Sequence, residues 1–121
     1  MTARESSMIL AFHTAKLLTN PAQALINAVS TPGVGPVGLV LVKHDAELIV
    51  ANSARFSQPN SPQILGVLDV KQALQGQSTV LAEIHVGAFP RELSLEADDQ
   101  TLLLTNYNSD TINIIDVTKL P

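Results

Sequence analysis

Apolar residues along this chain fall in short runs set off by turn-forming residues. Ser7–His13, Leu25–Val29, Val37–Val42, Glu47–Asn52 and Gln63–Val70 read as strands, followed by Thr79–Val86, Glu92–Glu96, Thr101–Asn106 and Thr111–Val117. Each is a brief run rich in branched residues, the pattern of a pleated surface that buries at least one face. Thr31-Pro-Gly-Val-Gly-Pro36 and His44-Asp45-Ala46 are turns, 54–62 is a loop with two prolines, and Lys71–Ser78 is polar and turn-like around Gly76. Ala15–Ala24 is the one helix candidate. Asn20-Pro21 interrupts it, so the expectation there is a loop with at most one helical turn. Short strands without long helices define an all-β protein.

The faces of two strands differ. In Val37-Gly-Leu-Val-Leu-Val42 both alternating faces are apolar, which predicts a strand covered on both sides. In Glu92-Leu-Ser-Leu-Glu96, Glu92, Ser94 and Glu96 share one face while Leu93 and Leu95 share the other, which predicts one side toward water.

The order of features repeats. Pro36 and Pro90, Asp45 and Asp99, Leu48 and Leu102, and Asn52 and Asn106 are each 54 residues apart. Beyond the loop the separation is 47, from Asp69 to Asp116 and from Val70 to Val117, so segment 54–62 holds a seven-residue insertion. An earlier partial copy, Ile9-Leu-Ala-Phe-His-Thr14, lies 56 residues before Leu65-Gly-Val-Leu-Asp-Val70. Four strands per copy at this period is the pattern of β-propeller blades. The expected organisation is a single partial propeller region over 1–121, with antiparallel four-stranded blades. Residues 7–14 are then the outer strand of a preceding blade, 24–70 the first full blade and 79–117 the second.

These residues resemble the YVTN-type β-propeller repeats of the YncE-like group, related in shape to lactonase-type seven-bladed propellers. Leu103-Leu-Thr-Asn106 and Ile49-Val-Ala-Asn52 match the name-giving tetrapeptide loosely, and the preceding Gly-x-x-Pro is matched by Gly33 to Pro36 and Gly87 to Pro90. Ile114-Ile-Asp116 and Val67-Leu-Asp69 match the closing Val-Ile-Asp. The usual Asp-Gly of the central hairpin is His44-Asp45 in one copy and Asp98-Asp99 in the other, and the tetrapeptide's Tyr is replaced in both. The resemblance implies repeat-structural roles for Gly33, Pro36, Asn52, Asp69, Gly87, Pro90, Asn106 and Asp116. It also implies that complete relatives are often periplasmic or secreted.

A propeller closes with roughly four to eight blades, so two blades and a strand predict a need for further blades, by self-association or in a longer parent chain. Composition narrows the function. Net charge is −4 with no Lys or Arg run, which disfavours nucleic acid as a partner. No apolar run approaches the ~18 residues of a spanning helix, and the N-terminal Met-Thr-Ala-Arg-Glu-Ser-Ser precedes too short an apolar run for a signal peptide. Cysteine is absent, which removes disulfides and thiolate chemistry.

His13, His44 and His85 lack metal-motif spacing, so no metal or cofactor is expected. Glu96, Asp98 and Asp99 have too few ligands for a calcium loop and read as a solvated turn. Asp69 and Asp116 are expected to accept hydrogen bonds from the turns that follow them. No nucleophile–base pair stands out. The ligand-binding candidates are Arg55 and Phe56 in the inserted loop, weighed against a tolerated surface insertion. The functional expectation is a non-catalytic binding or interaction scaffold with an unidentified ligand or protein partner. The alternatives are part of a lactonase-like hydrolase, or a truncated product without independent function.

Overall fold

The computed structural model describes residues 1–55, 57 and 60–121. Among the described residues, ten strands form three antiparallel sheets. The N-terminal sheet joins β1 (Thr2–Ala3), β2 (Met8–Phe12) and β3 (Leu25–Ser30). The central sheet joins β4 (Pro36–Val42), β5 (Glu47–Asn52), β6 (Ile64–Asp69) and β7 (Val80–His85), and the C-terminal sheet joins β8 (Pro90–Leu95), β9 (Thr101–Asn106) and β10 (Thr111–Asp116). This is the all-β, blade-like architecture expected from the strand pattern.

The sheets stack face to face with the central one inside. Leu48, Val50 and Leu68 on one face pack with Ile9 and Val29 of the N-terminal sheet. Ile49, Ala51, Leu65 and Val67 on the other pack with Leu102, Leu104 and Val117 of the C-terminal part. Every residue of β5 is buried, because neighbours cover both its faces. In β8 the polar positions Glu92 and Ser94 are exposed while Leu93 and Leu95 pack inward, as the alternation predicts.

Two strands belong to other sheets than expected. The sequence groups Leu25–Val29 with the strands that follow it, in 24–70, and Thr79–Val86 with those of 79–117. Instead β3 pairs with β2, and β7 closes the central sheet against β6. The strand of 7–14 is therefore the middle of a three-stranded sheet, not a lone outer strand. A period states the unit's length but is unchanged by a circular shift, so it does not say which four consecutive strands share a ladder. Aligned by the repeat, the central sheet is complete, the N-terminal one lacks the innermost strand and the C-terminal one lacks the outermost.

Two connecting stretches also hold more structure than expected. Asp69 accepts a hydrogen bond from the Gln72 amide at 2.7 Å and caps a short helix, α2 (Val70–Leu74), within the stretch read as a turn. A six-residue helix, α1 (Thr14–Thr19), precedes a 3-10 turn at Pro21–Gln23, so proline ends one helix and starts the next turn. The β4–β5 hairpin keeps its reversal without glycine by placing Lys43, His44 and Asp45 at φ 53°, 55° and 64°. Asp99, the repeat counterpart of Asp45, sits at φ 55°. Lys43 also bonds Glu47 at 3.0 Å and the Leu120 carbonyl at 2.9 Å, which ties the C-terminus to this hairpin.

Candidate functional site

At one end of the stack the repeat builds the same backbone frame twice. Ser53 and Ala54 amides donate to the carbonyls of Gly35 and Val34 at 3.0 and 2.9 Å. In the second copy Tyr107 and Asn108 amides donate to Phe89 and Ala88 at 2.9 and 3.0 Å. Gly33 and Gly87 make room for the buried Asn that opens each frame: a Cβ on Gly33 would lie 2.6 Å from Asn52, and one on Gly87 2.8 Å from Asn106. Pro36 and Pro90 each sit opposite that Asn beside a register shift, where a missing N–H does no harm. Asn106 donates to Asn113 at 2.7 Å and Thr111 at 3.1 Å. The Oδ1 atoms of Asn52 and Asn106 are buried without a protein partner among the described residues.

The two frames differ in what they display. The left-handed position is Gly35 in the first, at φ 66°, and Phe89 in the second, at φ 58°. Glycine adopts that conformation freely, whereas a bulky side chain there is strained by roughly 1–3 kcal/mol. The ring of Phe89 is buried, and its amide is satisfied by Gln63 Oε1 at 2.9 Å, across from the central sheet. Tyr107 stacks edge-on against it, with ring centroids 5.8 Å apart, and is 66% exposed. The Arg55 guanidinium lies 5.4 Å from the Phe89 ring centroid, a cation–π distance. Ser53, Ser57, Gln63 and Asn108 complete the wall of a small polar cleft of about 190 Å³.

Of the two sequence candidates, Arg55 thus belongs to this cluster, and Phe56 lies outside the described residues. Phe89 and Tyr107 were missed. The available signal was their place in the repeat, where the first copy has Gly35 and Ser53, and aromatics are scarce in this chain. Asp69 and Asp116 cap following turns, with Asp116 accepting from the Thr118 amide at 3.0 Å. The Thr118 hydroxyl and then Lys119 hold the Asp116 carboxyl below its ordinary value. Asp98 binds the Gln100 and Thr101 amides and the Thr101 hydroxyl, which lowers its pKa too and closes the acidic turn on itself. Among the described residues no three His, Asp or Glu side chains gather as a metal site.

A larger apolar groove, of about 490 Å³, runs beside Leu39, Leu41, Leu48 and Leu10. It is a seam between sheets: Leu93 and Leu95, the counterparts of Leu39 and Leu41, pack into the core of the central and C-terminal sheets.

No protein-family profile matches the chain, and no curated protein matches it. Solved structures do. A candidate 6-phosphogluconolactonase from Bacteroides fragilis superposes with a TM-score of 0.71 at 16% identity, over 93% of this chain and 30% of that one. Hydrazine synthase of Kuenenia stuttgartiensis superposes with a TM-score of 0.63 at 20% identity, over 83% of this chain and 25% of that one. The chain therefore spans less than a third of these structures, and the likeness is one of fold, that of propeller-like proteins.

Proposed function

We propose that the chain is a non-catalytic β-propeller repeat scaffold of the YVTN kind, which presents a cation–aromatic rim site to a binding partner. The observation that carries this reading is Phe89. Its repeat counterpart meets the same backbone demand with glycine, so the strain is retained for what the ring supports: Arg55 on one side and the exposed Tyr107 on the other. An exposed Tyr beside Arg over polar Ser, Gln and Asn groups suits an acidic or aromatic peptide, which would place a carboxylate on the guanidinium and stack on the phenol ring. Among the described residues no helix is long and apolar enough to cross a membrane.

The test is an NMR titration of the chain with short acidic and aromatic peptides. Shifts should centre on the Tyr107 and Asn108 amides and disappear in Arg55→Ala and Tyr107→Ala. Shifts that ignore both substitutions would remove the rim from the argument. The alternative rests on the likeness to the candidate lactonase, and a lactone-hydrolysis assay decides it: turnover above the uncatalysed rate would favour a hydrolase part.

A further inference from the structure

We propose that a second copy of this chain packs head to tail on it, the outer face of the C-terminal sheet seating on the outer face of the N-terminal sheet. The chain's own repeat supports this contact, independently of the rim site.

On the outer face of the C-terminal sheet, Ile112 and Ile114 are 65% and 74% exposed, beside Leu103. Their counterparts one repeat earlier, Leu65 and Val67, are fully buried, together with Ile49, the counterpart of Leu103. Those three are covered by the next sheet, through Leu102, Leu104 and Val117. The opposite end of the stack tells the same story. Ile9 and Val29 turn inward, so by alternation Met8, partly buried, lies on the outer face of the N-terminal sheet, and beyond the register shift at Ala11 Phe12 pairs with half-exposed Leu25. The counterparts of Met8 and Phe12 are Ile64 and Leu68, which are 1% and 0% exposed. Leu68 packs against the preceding sheet.

Each end of the molecule thus repeats one half of an interface that the molecule contains internally, exposed at the C-terminal end and partly exposed at the N-terminal end, where Leu25 is open to solvent. The two halves are complementary to each other and not to themselves, so the contact is heterologous, and such contacts close into rings when the rotation permits. Three sheets per chain in two copies make six, within the four to eight that close a propeller.

Light scattering on a size-exclusion column should give about twice the 12.9 kDa chain mass. Ile112→Lys with Ile114→Lys should give a folded monomer, since both side chains are exposed, and Leu25→Glu, at a half-exposed position, should do the same. Mixing these two variants is decisive. Each keeps one intact half, so a head-to-tail contact restores a dimer in the mixture. A monomeric parent chain would overturn the proposal, as would a dimer indifferent to the substitutions. Pairing through two like faces or two β10 edges would leave the mixture monomeric and overturn it equally.

Discussion

Gly33 and Gly87 show how closely single residues are constrained. The Asn that each accommodates is fully buried at the end of an inner strand, and a methyl group would collide with its side chain at 2.6–2.8 Å. Gly33→Ala and Gly87→Ala should each destabilise the chain by about 1–3 kcal/mol, the usual range for overpacking, measured by urea unfolding. Asp98 and Asp116 act at the surface. Both carboxyls are held below the ordinary value by hydrogen bonds in the folded chain. Their contribution is therefore fully present above the unfolded carboxylate value of about 4 and fades as pH falls through the lower folded value. Thermal melts of Asp98→Asn should show a deficit at pH 7 that shrinks toward pH 2.5. The role of Asp116 as a turn acceptor, like that of Asp69, was legible in the sequence, whereas Asp98 read only as part of a solvated turn. The Phe89–Tyr107–Arg55 cluster was not, because its members come from three separate segments.

At the scale of elements, strand positions were readable because alternation needs only local sequence, and all nine expected strands are present. Strand β1 was missed, since two residues carry no period. Helix α2 was missed for a different reason: Val70–Leu74 is too short for a helical period, and what creates it is the Asp69 cap. Asp69→Ala should cost about 1 kcal/mol, the usual worth of such a cap, and raise amide exchange at Gln72 above that of β6. The same exchange in the core strands would show that the loss is confined to the helix.

Taken whole, the molecule is held by a central sheet wedged between two others, so its inner residues serve two cores at once. Leu65 and Leu102 face each other across one layer and are both fully buried. Leu65→Ala should destabilise by about 2–5 kcal/mol, as buried large-to-small changes do. If the three sheets unfold as one unit, tyrosine fluorescence at Tyr107 and far-ultraviolet circular dichroism should lose their signals at the same urea concentration. Separate midpoints would show that the layers melt independently.

Sequence alone determined nine of the described strands, the repeat, most turn positions and the all-β class, because alternation, glycine, proline and aspartate act through the backbone within a few residues. It also marked the wet face of β8, but not that of β4, where Leu39 and Leu41 are exposed although both faces read as covered, because the N-terminal sheet has no innermost strand opposite them among the described residues. Tertiary structure decided which strands share a sheet: a repeat has no starting point, and only hydrogen bonding between distant segments assigned β3 to the first sheet and β7 to the second. It likewise decided the rim, since Arg55, Phe89 and Tyr107 become neighbours when the central and C-terminal sheets pack. Local preference is written along the chain, while proximity across sheets is settled by how their apolar faces meet.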